Sequence, residues 1–369
     1  MTVGVAAVAG RDPNDRRADV GTALEAVALV CDRRLTDALS GVISEAWVPK
    51  IRGFVGEGSK KRTTWSALFA GDSSLIDSIK AQFIADGHGD RLGKAERPKL
   101  DDVASAVSET VKKVWDRGYD GYVYEPLGLT RELVLARPDS LAPLPEAIVS
   151  KVLERSDTFI NEVDFGCDLA LCGFDERGRS AILSLDERGE VTRHFDTGFC
   201  AIGEGDETAS ARLELLGYRP PLDLGTVVFM TIDAKLTAER VGSVGPSTDA
   251  WVLVPHQALP IEVPSELIDS LAALRRWLAS TSPFAQEQLE RPTEEWRTLL
   301  WDFVKRCYEG SPTALSSIER EQPSWLSRNV SQGIILRPAP AHLEGPPAAL
   351  ARLRRGSSRS SQRRRSETP

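Results

Sequence analysis

Four short stretches carry residue types from which a reaction could be assembled: a hydroxyl, a carboxylate, two cations and a glycine at the mouth of a helix. Thr2 follows Met1 in the opening Met1-Thr2-Val3-Gly4-Val5. Asp32 and Arg34 close the apolar run VALVCDRR, Lys50 stands before the β-branched Ile51, and Gly71 ends the segment ALFAGD. Each has an ordinary structural explanation. Thr2 would start a strand, Asp32 and Arg34 would pair at a turn, Lys50 would be an exposed strand charge, and Gly71 would lead into a helix capped by Asp72. A glycine there would also let the backbone approach a ligand closely, and the helix start behind it favours negative charge.

Other chemistries find little support. Five Cys and four His are scattered without a CxxC or HxxxH spacing, so neither a metal site nor a cofactor is expected. From Ala351 to Pro369 there are seven Arg and one Glu, which leaves the rest of the chain at about −14 of a total of −8. Such an acidic body argues against a nucleic-acid partner. No basic segment followed by a long apolar run opens the chain, and no run of about 18 apolar residues appears later. A cytoplasmic protein with reduced thiols and no membrane partner is expected.

The elements that would position these residues can be read from hydrophobic period. Thr2 to Val8 and Ala26 to Arg34 predict two strands joined by a long loop over Gly10 to Gly21. Val48 to Val55 and Thr63 to Ala70 predict a further pair around the turn Gly56 to Arg62. Leu75, Ile76, Ile79 and Phe83 then fall at helical spacing behind Asp72 or Ser73. Val103, Val107, Val111 and Val114 predict a second helix, started by Asp101 and ended by Gly118. Strands recur at Asp168 to Phe174, Arg179 to Leu185 and Thr197 to Gly203, the first two around the turn Asp175 to Gly178. Helices follow at Asp206 to Leu216 and Thr226 to Arg240, and a strand at Trp251 to Val254.

This order predicts an α+β fold in which two sheets pack face to face with helices outside, a four-layer αββα sandwich over residues 1–263. Residues 264–336 read as a helical carboxy-terminal extension carrying Leu267, Leu271, Leu274 and Trp277 on one helix and Trp296, Leu299, Leu300, Phe303 and Val304 on another. Residues 337–369, rich in Arg, Ser and Pro, are expected to be a disordered tail.

Taken together, Thr2, Asp32-x-Arg34, Lys50-Ile51 and ALFAGD resemble, in order, the amino-terminal half of proteasome β-subunits and their bacterial relatives, which are N-terminal-nucleophile (Ntn) hydrolases. The resemblance implies that Thr2, exposed by removal of Met1, is the nucleophile. Its own α-amine, titrating near roughly 7.7 to 8.0 when unperturbed, would be the base. Asp32 and Lys50 would be catalytic, the Lys lowering the pKa of hydroxyl and amine while the carboxylate keeps it charged. Gly71 would offer its backbone N–H to the oxyanion, Phe69 and Ser73 would bind substrate, and Arg34 would support.

The later segments LCGFD (171–175), AIGEG (201–205) and Ser243-Val244-Gly245 extend the likeness and add Glu204 and Ser243 as supporting residues. Two positions depart from it. Glu204 stands where catalytic members carry Ser, and Glu239, Arg240 and Val241 stand where an Asp is usual. Aligning Val3-Gly4 with the family's Val-Gly would put Thr2 two residues past the nucleophile position, and strand alternation does not separate the two registers.

Three functions follow. The first is a Thr2-dependent amide or peptide hydrolase acting on a peptide or protein, assembled as a homo-oligomer. The second is a catalytically inactive scaffold or binding protein of the same fold. The third is an unrelated interaction protein whose Arg-rich tail docks an acidic partner. On the first reading Lys50→Ala is expected to cost at least about a hundredfold in rate with little change in stability.

Overall fold

The computed structural model describes residues 3–10, 25–33, 35–36, 43–44, 50–55, 65–71, 73–93, 98–135, 144–162, 167–242, 244–255, 257, 259–280 and 290–309. Thr2, Arg34, Asp72, Ser243, the expected loop over 11–21, the turn at 56–62 and the tail from 337 all lie outside the described residues. The strands are β1 (Gly4–Ala9), β2 (Ala26–Asp32), β3 (Leu35–Thr36), β4 (Ile43–Ser44), β5 (Ile51–Val55), β6 (Trp65–Gly71), β7 (Cys167–Phe174), β8 (Ser180–Leu185), β9 (Val191–Arg193), β10 (Phe199–Ile202), β11 (Thr248–Leu253) and β12 (Ile261–Glu262). The α-helices are α1 (Ser73–Ala85), α2 (His88–Gly93), α3 (Leu100–Val123), α4 (Arg131–Leu135), α5 (Glu146–Glu162), α6 (Asp206–Leu215), α7 (Leu224–Ala238), α8 (Ser265–Ser280) and α9 (Glu290–Cys307). No helix among the described residues is long and apolar enough to cross a membrane.

The fold is mixed α+β. One five-stranded sheet has the order β10-β1-β2-β11-β12, the other β5-β6-β7-β8-β9, and every neighbouring pair is antiparallel. β1 and β2 are buried at every residue, which is why both read as unbroken apolar runs rather than alternating ones. Period two sorts their side chains. Val5, Ala7 and Ala9 with Ala28 and Val30 join the side chains of α6, α7, α8 and α9. Ala6 and Val8 with Val27, Leu29 and Cys31 meet Leu68, Ala70, Ala170, Cys172 and Ile182 of the other sheet. On that sheet's opposite face Trp65, Ala67, Phe69, Leu169, Leu171, Ala181 and Leu183 pack with Ile76, Ile79 and Phe83 of α1 and the Val103, Val107, Val111 stripe of α3.

Helices α2, α4 and α5 stand where the sequence reading named none, and two of the expected helices differ in where they begin or stop. The expected stop at Gly118 is not one, because α3 runs on through Gly118 and Gly121 to Val123. Each glycine costs roughly 1 kcal/mol in a helix interior. Packing in the second half of the helix outweighs that. Trp115 and Tyr119 stack at 5.5 Å, both meet Phe159 of α5 edge-on, and the Arg131 guanidinium lies over Tyr119. α7 begins two residues before the expected Thr226, since Asp223 caps it by accepting the Thr226 N–H at 2.9 Å.

The extension shares the body's core. Leu267, Leu271 and Leu274 of α8 and Trp296, Leu300, Phe303 and Val304 of α9 belong to the cluster beneath α7, and Trp296 meets Phe229 edge-on at 5.3 Å. Leu299, read as part of that face, is instead 38% exposed. On α8, Arg275 donates to the Asp233 carbonyl and the Thr237 hydroxyl of α7.

One position in the second sheet has no room to spare. A Cβ on Gly173 would lie 2.4 Å from Cδ2 of the fully buried Trp65. Gly173→Ala is expected to destabilise the fold by roughly 1–3 kcal/mol through overpacking, read as a lower denaturant midpoint with an unchanged slope.

Candidate active site

The residues singled out by type converge at one end of the two sheets. β2 ends on Asp32, which is fully buried, and a burial this complete demands partners for both carboxylate oxygens. Oδ1 accepts from Lys50 Nζ at 2.8 Å and from the backbone N–H of Val3 at 3.1 Å. Oδ2 accepts from the backbone N–H of Gly245 at 2.9 Å. The Asp32 N–H in turn donates to the Val3 carbonyl at 3.2 Å, so the start of the chain is held to Asp32 from both sides.

Lys50 is 5% exposed, which places it in the interior rather than on a strand edge. Its carbonyl accepts the Phe69 N–H at 3.0 Å, extending the β5–β6 ladder by one pair and setting Lys50 two residues from Gly71. Gly71 ends β6 with φ +112°, in the left-handed half of conformational space that side-chain-bearing residues rarely adopt, and it is exposed. Ser73 opens α1 just beyond it.

The second half of the chain closes the same end. Gly4 pairs with Ile202, which brings Val3 alongside Gly203, and the Gly203 N–H donates to Asp168 Oδ2 at 3.2 Å. Gly205 lies under Val3. A Cβ on it would stand 2.9 Å from both Val3 Cβ and Val244 Cγ2. Burial, followed by the charges of Glu207 and Asp168, pushes the Asp206 carboxyl above its usual range. Cys31, next to Asp32, faces the layer between the sheets, where burial pushes its thiol well above the ordinary range and disfavours the thiolate.

Asp32, Lys50 and Gly71 are therefore brought to one end of the fold. Glu204 reaches the same end in the turn before α6, where it is exposed. Phe69 takes a different place. It is 1% exposed and packs in the cluster under α1 and α3, where it offers no surface to a substrate side chain. Thr2, Arg34 and Ser243 lie outside the described residues, and Thr2 is the residue bonded to the Val3 amide that Asp32 holds.

Sequence reasoning missed Lys235. Fully buried in α7, its ammonium donates to Glu239 Oε1 at 2.7 Å, the Gly245 carbonyl at 2.9 Å, the Ser247 carbonyl at 3.0 Å and Thr248 Oγ1 at 2.8 Å. Its one visible signal was a lysine inside LGTVVFMTIDAKLTA, where Asp233 is the only other charge. Asp233 is explained separately by Arg212 and Arg275, which flank it in a buried ion network.

No family model matches the sequence, and no curated protein matches it. Among solved structures the chain is similar to Anbu, described as an ancestral beta-subunit, from Yersinia bercovieri, with 14% identity and a TM-score of 0.50 over 77% of this chain and 99% of that one. A helical assembly of the Anbu complex from Pseudomonas aeruginosa gives 16% identity, a TM-score of 0.49 and the same coverage. An Anbu Gly-1 mutant from Hyphomicrobium sp. strain MC1 gives 16% and 0.48, again over 77% and 99%. At such identities the likeness is one of fold. It corrects the resemblance read from the sequence, which pointed to the proteasome β-subunits, because the structures matched here are Anbu proteins.

Burial of the Lys50–Asp32 pair also changes what a substitution there should do. Removing one partner of a buried pair strands the other's charge, which costs about 3–5 kcal/mol. Asp32 would keep two backbone donors, so Lys50→Ala is expected to destabilise by roughly 3 kcal/mol, the low end of that range. The small stability change expected from an exposed lysine is thus replaced by a large one. Chemical denaturation of the purified variant measures it, and a midpoint equal to wild type would contradict the buried pair.

Proposed function

We propose that the chain is an amide or peptide hydrolase of Anbu-like fold in which Thr2, exposed as the amino terminus by removal of what precedes it, is the nucleophile. The observation that carries this reading is the buried Lys50–Asp32 pair bonded to the amide of Val3, the residue next to Thr2. The Lys50 charge would lower the pKa of the Thr2 hydroxyl and α-amine, and Asp32 would fix the Lys50 ammonium in place through their 2.8 Å bond. The hydroxyl oxygen would attack the amide carbonyl while its proton passes to the α-amine. That proton would then go to the leaving nitrogen as the C–N bond breaks, and water would hydrolyse the resulting ester.

Gly71 would donate its N–H to the oxyanion, with α1 behind it favouring the negative charge. Phe69 would act from below, as the floor under Gly71, and Ser73 would contact substrate at the start of α1. The packing of sheet on sheet with helices on both outer faces supports the four-layer αββα arrangement of Ntn hydrolases as the architecture. Within it, residues 1–263 would form the hydrolase body and 264–336 an extension covering its α7 side, with the tail from 337 outside the chemistry.

A second reading, an inactive scaffold of the same fold, is favoured by two observations. Glu204, where catalytic relatives of the sequence motif carry Ser, is exposed, and the end of α7 presents a Lys235–Glu239 ion pair where an Asp would be expected. Amino-terminal sequencing and a Thr2→Ala variant separate the readings. The hydrolase predicts a start at Thr-Val-Gly and loss of turnover, at least about a thousandfold, with folding intact. Retention of Met1 in active protein would remove the Thr2 mechanism, and unchanged turnover in the variant would point to another nucleophile; a wild-type chain without turnover would leave the scaffold.

Self-association is proposed with it. Leu153 and Ile160, about two helical turns apart on α5, are 65% and 47% exposed, an apolar face that self-association would cover. Light scattering of the purified chain is expected to give a multiple of 40.3 kDa. A strict monomer would dismiss the assembly.

A further inference from the structure

Groups that set the position of Asp32 are themselves held by a residue that no sequence motif named, Lys235. Gly245, whose N–H meets Asp32 Oδ2, belongs to a turn that is gripped from inside the protein. Lys235 donates to the Gly245 carbonyl, the Ser247 carbonyl and the Thr248 hydroxyl within 3.0 Å. Thr248 then opens β11 directly opposite Asp32 in the β2–β11 ladder. Both of these routes from the turn to Asp32, the Gly245 hydrogen bond and the first rung of the ladder, start at residues whose other polar atoms Lys235 holds, the Gly245 carbonyl and the Thr248 hydroxyl.

The position is a costly one for an ammonium. Burial pushes Lys235 below its ordinary range, and Glu239 at 2.7 Å pulls it back toward the charged form. An apolar side chain would fill this site in the core of α7 without desolvating a charge, but it could not bind three oxygens of a turn.

We propose that Lys235 is a positioning residue for the candidate site, holding the Gly245–Thr248 turn so that the Gly245 N–H is delivered to Asp32. The proposal rests on the reading of Asp32 and Lys50 as the working pair. It does not require that Thr2 be the nucleophile.

The test uses the full chain and reads amide hydrogen exchange by NMR at Gly245, with Ala28 and Leu29 in the middle of β2 as internal references. In Lys235→Met, Gly245 is expected to exchange at least about tenfold faster than in wild type while the two references keep their rates, a local release that general destabilisation would not produce. Should Lys235→Met fail to fold, Thr248→Val removes one of the three turn oxygens and leaves α7 intact, with about threefold faster exchange expected at Gly245. Wild-type exchange at Gly245 in the folded variant overturns the proposal. So does acceleration shared equally by Ala28 and Leu29. The two readings fail separately: unchanged exchange beside an inactive Thr2→Ala removes only the role of Lys235, whereas faster exchange beside an active Thr2→Ala removes only Thr2 as the nucleophile.

Discussion

Everything at the candidate site depends on one carboxylate that has been taken out of water. An isolated ionised carboxylate in a protein interior is expensive enough that it survives only with strong donors around it. Among the described residues Asp32 takes three from distant parts of the chain: the amide of Val3, the ammonium of Lys50 on the facing sheet and the amide of Gly245 after α7. Hydrogen bonds to a charged acceptor contribute roughly 1.5–3 kcal/mol each. The same group therefore fastens β1, β5 and the turn before β11 into one constellation. The catalytic interpretation and the folding interpretation of Asp32 rest on the same bonds.

A second constraint is the closeness of the sheets. β1 and β2 carry GVAAVA and AVALVCD, with Gly, Ala and Val where most strands of this length would hold larger residues. Small side chains let α7 lie close on one face and the second sheet on the other. They leave little tolerance for added volume, as Gly205 beneath Val3 and Gly4 against Ile202 show. Helix α7 matches this with fourteen buried residues of its fifteen, so its two charges had to find partners inside the protein. Asp233 found them in arginines of α6 and α8, and Lys235 in the turn.

Much of this was legible in the sequence. The unbroken apolar runs of β1 and β2, the apolar segments of β6 to β8, and the hairpin over Asp175 to Gly178 each have a strong local cause, and they appear close to where period and turn chemistry put them. Convergence of Asp32, Lys50 and Gly71 was legible only as an ordered motif, since no spacing along the chain reveals which strand ends share an edge. The length of α3 was not legible, because its glycines carry a local penalty and the aromatic packing that overrides it comes from α5, tens of residues later. Lys235 was hidden for a related reason: a lysine in an apolar helix gives no hint of the carbonyls it will meet. The identity of the matched structures came from the fold alone.

The aromatic cluster of Trp115, Tyr119, Tyr122 and Phe159 has a bearing on how the molecule breathes. It is a satellite core with its own set of buried residues, Val123, Tyr124, Val152 and Phe159, distinct from the three clusters around the sheets. Among the described residues α3 is the element that contributes to both, Val103 to Val114 on the sheet side and Trp115 to Val123 on the other. The hairpin of α5 on the end of α3 can therefore open as a sub-global unit, fraying α3 back toward its middle, without parting the strands that carry Asp32 and Lys50. A helix that bridges two cores in this way lets the periphery of the protein melt and re-form on its own schedule while the charged pair at the other side stays dry.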